Sequence, residues 1–89
     1  LHGVPYLAKD CIATAGVATT AGSPLFAGYI PRRDAAVVQR LHAAGMVLVG
    51  KANLHELAYG VTSENPHFGP VRNPHDPRRM AGGSSGGSG

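Results

Sequence analysis

The sequence predicts an α/β fold, and three features along the chain indicate it. A short apolar stretch, residues 1–8, ends at Lys9 and Asp10, as a strand does when it enters a polar site from its end. Residues 34–44 carry apolar side chains at three- and four-residue spacing, which is typical of a helix. Residues 46–50 then form a continuous apolar run of strand type. A helix, a short link and a buried strand together make half of an α/β unit.

The predicted helix has signals at both of its ends. Asp34 is placed to cap the first turn by accepting backbone N–H bonds, and Gly45 can adopt the left-handed conformation that ends a helix. The following run, from Met46 to Gly50, does not alternate in polarity. We therefore expect a central strand with both faces covered, as in a parallel sheet between helix layers.

The rest of the chain has one further helix signal and long segments without any. Residues 11–31 have no helical period, and Pro31 blocks continuation into a helix. A second helix is predicted to begin at Asn53, which forms a pattern like a capping box with Glu56, and to end at Gly60. Residues 61–81 have no period and contain four prolines, so we expect a functional or unstructured segment.

Composition and charge exclude several classes of protein. A chain of 89 residues is at most one small domain, and its charged fraction of 15% is lower than a small free-standing protein usually needs. Because the chain opens at Leu1 and stops inside a Gly/Ser run at Gly89, we expect a piece of a larger enzyme. No apolar run is long enough to span a membrane. The basic residues are scattered, which argues against nucleic acid as a partner.

Cysteine and histidine usage argues against metal and disulfide chemistry. Cys11 is alone, so no internal disulfide forms, and a reducing, cytoplasmic location is favoured. His55 and Glu56 begin like the zinc motif His-Glu-x-x-His, but Tyr59 stands where the second histidine is needed. The Gly/Ser run lacks the Lys-Ser/Thr ending of a phosphate-binding loop. We therefore expect no metal site of these types and no phosphate-binding loop.

Two features have two interpretations each. Lys9 is either a surface lysine whose stem lies along apolar side chains, or a buried neutral amine that acts as a base beside serine hydroxyls. The run Gly82–Gly89 is either a flexible linker or a loop that approaches a ligand closely and supplies serine hydroxyls. The residues alone leave both questions open.

Taken in order, segments covering nearly the whole chain resemble the motifs of the amidase signature family. Each motif is short, but the ordered set is specific, and it favours the functional interpretation of the Gly/Ser run. The matching segments are Gly3-Val4-Pro5-Tyr6-Leu7-Ala8-Lys9-Asp10, Thr19-Thr20-Ala21-Gly22-Ser23, Asp34-Ala35-Ala36-Val37-Val38, Gly50-Lys51-Ala52-Asn53-Leu54-His55-Glu56, Thr62-Ser63-Glu64-Asn65, Phe68-Gly69-Pro70-Val71-Arg72-Asn73-Pro74 and Gly82-Gly83-Ser84-Ser85-Gly86-Gly87-Ser88.

The resemblance implies a fold and a set of site residues. The fold is a mixed β-sheet covered by helices on both faces, of which residues 1–89 are an N-terminal portion. The implied catalytic apparatus is a Ser-cis-Ser-Lys triad that uses neither a metal nor an organic cofactor, with Lys9 as the lysine and Ser84 as the serine held by a cis peptide bond. Ser85 is expected to support the loop by hydrogen bonding. The nucleophilic serine belongs to a later Gly-Gly-Ser segment that these residues lack, and Ser88 is not assigned that role.

The implied function is hydrolysis of a small-molecule carboxamide through an acyl-enzyme, with a homodimer as one option for the full-length form. One alternative is the glutaminase subunit of a tRNA-dependent amidotransferase, for glutamyl-tRNA(Gln) or aspartyl-tRNA(Asn). That branch typically reads Met-Asp-Glu-Phe-Ala-Met-Gly where this chain reads Leu54-His55-Glu56-Leu57-Ala58-Tyr59-Gly60, which resembles more closely the stand-alone amidases, including those that act on aryl-acetamides. The other alternative is a non-catalytic amidase-like protein.

Overall fold

A β-α-β unit lies at the centre of the computed structural model, which describes residues 1–89. Strand β1 covers Pro5–Lys9, helix α1 covers Ala36–Ala43, and strand β2 covers Val47–Ala52. The two strands pair in parallel, with a bulge after Tyr6 and with Lys9 opposite Ala52. The predicted α/β class is confirmed, and so is a strand that ends at Lys9. Three short 3₁₀ helices complete the regular structure: Pro24–Phe26, Glu56–Ala58 and Gly86–Ser88.

Helix α1 ends as predicted but begins differently. Gly45 has a φ of +83°, and its N–H donates to the carbonyl of His42 at 2.9 Å. This bond gives a partner to one of the free carbonyls in the last turn of the helix. The predicted cap at Asp34 is wrong, because the N-cap position is Ala35 and no side chain caps the first turn. The Asp34 carboxylate instead accepts a hydrogen bond from the backbone N–H of Ala15 at 2.6 Å. It therefore ties the loop after β1 to the start of the helix.

Strand β2 is paired and covered on one side only. Val47 and Val49 expose 49% and 62% of their surface, so the predicted central strand with both faces covered is wrong for these residues. The physical reason is that the sheet has two strands and one helix, which leaves each strand with an unpaired edge. Helix α1 contributes one fully buried side chain, Val38, to the covered side.

The second predicted helix, from Asn53 to Gly60, is wrong except for a single 3₁₀ turn at Glu56–Ala58. The side chain of Asn53 does not cap a helix: its amide donates to the carbonyl of Gly69 at 3.1 Å. Leu57 and Ala58 then have positive φ angles of 54° and 57°, through which an α-helix cannot continue. The local capping pattern is overridden by a contact with a distant loop.

The buried interior is small, and five of its twelve residues are polar. Asn65 is 2% exposed, and its amide donates to the carbonyl of Gly22 at 2.7 Å. This bond holds the segment 61–81 on the body of the chain. The segment has no helix or strand, as its lack of period predicted, and one isolated bridge joins Arg72 and Met80. No helix is long and apolar enough to cross a membrane. The buried apolar residues are Ala8, Val38, Ala52 and Leu54, and the buried polar residues are Thr14, Thr19, Ser23, Ser63 and Asn65.

Candidate active site

Lys9 and Ser84 meet at the carboxyl end of β1, although they are 75 positions apart in the sequence. Lys9 Nζ lies 2.6 Å from Ser84 Oγ and donates a hydrogen bond to it. The peptide bond between Gly83 and Ser84 is cis, as the resemblance implies. The structure therefore brings together the two residues named as catalytic and gives Ser84 the expected backbone geometry.

The Gly/Ser run is docked on the chain rather than extended as a linker. The carbonyl of Ser84 accepts a hydrogen bond from the backbone N–H of His55 at 3.0 Å. The N–H of Gly87 donates to the carbonyl of Asn53, also at 3.0 Å. Since Asn53 directly follows β2, these bonds fix the loop beside the end of the sheet where Lys9 lies. We call residues 82–89 the catalytic-serine loop, after the role that the resemblance implies for Ser84.

A buried hydroxyl holds the middle of the catalytic-serine loop. Ser63 has no exposed surface, and its Oγ accepts a hydrogen bond from the N–H of Gly86 at 3.0 Å. A Cβ atom on Gly86 would lie 2.5 Å from Ser63 Oγ, and one on Gly87 would lie 2.6 Å from the backbone N and O of Asn53. Such distances are too short for any side chain, so the glycines are needed for the loop to approach this closely.

The other two serines of the loop make no comparable contacts. Ser85 and Ser88 are exposed, and neither side chain forms a hydrogen bond in the structure. The side-chain hydrogen bond to the loop that was expected from Ser85 is made by Ser63 instead. The Ser88 hydroxyl makes no hydrogen bond with Lys9 or Ser84 that would connect it to a proton relay.

A second lysine anchors the segment that follows β1. Lys51 donates from Nζ to the carbonyl of Ile12 at 2.7 Å and to the hydroxyls of Thr14 at 3.0 Å and Thr19 at 2.8 Å. It also lies 3.4 Å from the carboxylate of Asp10. Lys51 pairs with Ala8 across the sheet whereas Lys9 pairs with Ala52, so the two lysines leave the sheet on opposite faces. Lys51 is a structural residue at the back of the site.

An open cleft lies in front of the catalytic-serine loop on the uncovered face of the sheet. Its volume is about 450 Å³. The structure groups no three His, Cys, Asp or Glu side chains in a way that could hold a metal ion. The cleft is lined by Pro5, Tyr6, Leu7, Val49, Gly87 and Ser88.

Sequence reasoning missed the supporting residues Lys51, Ser63 and His55. Lys51 and Ser63 lie inside segments that matched the family, but nothing in their spacing indicates a role. His55 stood out only as part of an incomplete zinc motif, whereas in the structure its ring nitrogen Nδ1 accepts the backbone N–H of Ser63 at 3.2 Å. A signal was available in the short polar residues beside the predicted turns, which are candidates for buried backbone contacts.

With this geometry in place, comparison with known proteins identifies the class. The family model described as Amidase matches residues 1–89, and the chain therefore belongs to the amidase family. This agrees with the resemblance to the amidase signature family that the ordered motifs indicated.

Individual relatives come from two kinds of amidase. The chain is 57% identical over 90 residues to AtzE, a 1-carboxybiuret hydrolase subunit of Pseudomonas sp. (strain ADP). It is 52% identical over 89 residues to a glutamyl-tRNA(Gln) amidotransferase subunit of Archaeoglobus fulgidus. In both comparisons all of this chain is covered, and it spans 20% of the relative's length.

Solved structures share the fold closely. One structure, described as a vestigial protein complex that reveals the evolutionary origins of an s-triazine catabolic enzyme, has a TM-score of 0.95 and 55% sequence identity. The match covers 99% of this chain and 20% of that one. The β-α-β unit and the docked catalytic-serine loop therefore belong to a segment of an amidase-family α/β fold.

Proposed function

We propose that these residues are the N-terminal part of an amidase domain that hydrolyses carboxamides through an acyl-enzyme. The observation that supports this proposal most directly is the hydrogen bond of 2.6 Å between Lys9 Nζ and Ser84 Oγ. A lysine amine in direct contact with a serine hydroxyl is a known alternative to the Ser-His-Asp arrangement for activating a nucleophile. Membership of the amidase family supports the same reaction class.

In the proposed mechanism, Lys9 and Ser84 form a relay for one proton. The neutral Lys9 amine accepts the proton of the Ser84 hydroxyl, and Ser84 takes the proton of a nucleophilic serine as that serine attacks the amide carbonyl. The proton returns along the same path to the leaving amine. Water then attacks the acyl-enzyme, releasing the carboxylic acid and restoring the serine.

The nucleophilic serine and its oxyanion donors are proposed to lie outside these residues. The support is that the chain spans 20% of the length of the two relatives described above, and that neither the Ser85 nor the Ser88 side chain hydrogen-bonds to Lys9 or Ser84. In this proposal Ser85 supports the loop through its backbone, whose carbonyl accepts the N–H of Ser88 at 2.9 Å.

A small carboxamide is the proposed substrate, hydrolysed in the cytoplasm without metal or nucleotide. The alternative is an amidotransferase glutaminase working with partner subunits, ATP and charged tRNA. It is favoured by the 52% identity to an amidotransferase subunit, whereas the 57% identity to a carboxybiuret hydrolase subunit favours a metabolic amidase. His55, where the amidotransferase branch typically has aspartate, also favours the metabolic amidase.

The test is ammonia release by the full-length protein from acetamide, benzamide, phenylacetamide and L-glutamine, with a chelator present. We expect turnover of at least one small carboxamide by the isolated protein. The Lys9→Ala variant is the matched control, because it removes the amine and leaves the loop. Activity that requires partner subunits, ATP and charged tRNA would support the amidotransferase alternative, and no activity under either condition would support the non-catalytic alternative.

A further inference from the structure

We infer that His55 is a positioning residue for Ser84, acting through Ser63, and that its role is to present a hydrogen-bond acceptor at the δ position of the side chain. The inference rests on the proposed function, since it concerns the serine assigned to the proton relay. It is carried by a continuous set of contacts that runs from the imidazole ring to both sides of Ser84.

His55 contacts the catalytic-serine loop directly through its backbone. Its N–H donates to the carbonyl of Ser84 at 3.0 Å, so a movement of His55 is transmitted to the residue that holds the relay hydroxyl. The half-buried side chain of His55 extends away from Ser84 and toward the backbone of Ser63. One residue therefore connects the front of the loop to its buried support.

The ring nitrogen Nδ1 of His55 must be an acceptor. It accepts from the backbone N–H of Ser63 at 3.2 Å, and a backbone N–H can only donate. Nδ1 is therefore the unprotonated nitrogen. Thr62 Oγ1 lies 3.4 Å from the same atom. The ring is held over Gly60, where an added Cβ would lie 2.3 Å from the ring atoms Cε1 and Nε2, so a glycine is needed for this ring position.

Ser63 carries the contact onward to the loop. It has a positive φ of 55°, a conformation that a serine adopts only when surrounding bonds hold it. The bond from Ser63 N–H to His55 is one of these, and the carbonyl of Ser63 accepts another from Val71 at 3.1 Å. The orientation of Ser63 fixes its Oγ under the N–H of Gly86, two residues beyond Ser84.

The chemistry of position 55 follows from these contacts. In histidine, asparagine and aspartate, an acceptor atom can stand two bonds beyond Cβ, at the position that faces the Ser63 N–H. Leucine has a methyl group there and no acceptor. Position 55 therefore requires a δ-position acceptor. Asparagine and leucine form a matched pair for testing this requirement.

The experiment compares His55→Asn, His55→Leu and the wild type in the full-length protein. The first readout is amide hydrogen exchange of the segments that contain Ser63 and Gly86, which does not depend on activity. The second is kcat and KM for the carboxamide of the panel that the wild type hydrolyses fastest. Removing the acceptor leaves a buried donor without a partner, so we expect His55→Leu to exchange these amides faster and to lose about tenfold to a hundredfold in kcat. KM should change much less, and His55→Asn should keep both properties near those of the wild type.

Two results would overturn the inference: unchanged exchange and kcat in His55→Leu, or losses in a folded His55→Asn as large as those in His55→Leu. If His55→Leu does not fold, His55→Asn still decides, together with Ser63→Ala, which should speed exchange at Gly86 and lower kcat. If the wild type hydrolyses no carboxamide, the proposed function fails, and hydrogen exchange alone decides whether the acceptor at position 55 orders the loop.

Discussion

At the scale of single residues, Lys9 is the group on which the proposed chemistry depends most directly. In the full-length enzyme, Lys9→Ala should lower turnover by several orders of magnitude, because the proton acceptor for Ser84 is removed. Lys9→Arg should not restore activity, since a guanidinium stays protonated at all accessible pH values. Steady-state kinetics and thermal unfolding of the three proteins measure this. Near-normal hydrolysis by either variant would refute the role of Lys9.

The two adjacent serines of the loop make a second residue-scale comparison. Ser84→Ala should be severely impaired, because it removes the hydroxyl that Lys9 contacts at 2.6 Å. Ser85→Ala should lose much less, because the Ser85 side chain is exposed and makes no hydrogen bond. Single-turnover acylation rates provide the measurement. If Ser85→Ala were the more damaging change, the relay role would move to Ser85.

The loop after Asn73 contains the clearest electrostatic prediction. The pKa of Asp76 lies below its usual 3.8. The main cause is the hydrogen bond from the Arg78 side chain, which lies 3.0 Å from the carboxylate, and the second is the hydrogen bond from the backbone N–H of Arg78. The pKa of Asp76 is lower in the folded state than in the unfolded state. The ionised carboxylate therefore stabilises the folded state above about pH 3.8, and this stabilisation is lost as the pH falls through the folded-state pKa. A carboxyl NMR titration should therefore show a higher midpoint in Arg78→Ala, and an unchanged one in the control Arg33→Ala.

At the scale of elements, the parts predicted correctly from sequence depend on local pattern. Helix α1 and both strands have apolar spacing that determines their type, and Gly45 ends the helix as its conformational freedom suggests. The helix predicted from Asn53 failed because the Asn53 side chain bonds to Gly69, 16 positions away. The spacing of apolar residues along the chain carries no information about hydrogen bonds between distant segments.

The site was predictable only through the ordered motifs. The bond between Lys9 and Ser84 joins the two ends of the chain, and the resemblance rather than any spacing indicated it. The buried support from Ser63 and the anchoring by Lys51 remained hidden, because a short polar residue or a single lysine has no period to reveal burial. Such residues become identifiable once the loops that they hold are placed in space.

Close packing of the catalytic-serine loop against β2 provides a prediction at this scale. Gly87→Ala places a Cβ 2.6 Å from the backbone of Asn53, so the loop must shift. In the full-length enzyme we expect a loss of stability of about 1–3 kcal/mol, together with reduced turnover. Gly28→Ala is the matched control, because a Cβ there meets nothing within 4 Å. Denaturant unfolding and kinetics of both variants measure the effect, and equal behaviour would contradict the packing argument.

At the scale of the whole molecule, these 89 residues place the catalytic-serine loop on very little core. Only four apolar residues are buried, and two of them are alanines, Ala8 and Ala52. Large apolar side chains remain in contact with water, including Leu25 at 82% and Val49 at 62% exposure. The site is therefore built on a surface whose stability depends on further packing.

The last prediction is that residues 1–89, expressed alone, form neither a stable domain nor an active hydrolase. The buried apolar area is too small to offset the entropy of ordering the chain, and the open edges of β1 and β2 invite aggregation. The serine that would form the acyl-enzyme is proposed to lie elsewhere, so no hydroxyl here should react as a nucleophile. Thermal unfolding followed by circular dichroism, and labelling with a fluorophosphonate, are the two measurements. A sharp two-state transition would contradict the stability argument, and stoichiometric labelling of Ser84, Ser85 or Ser88 would show that the nucleophile is already present in these residues.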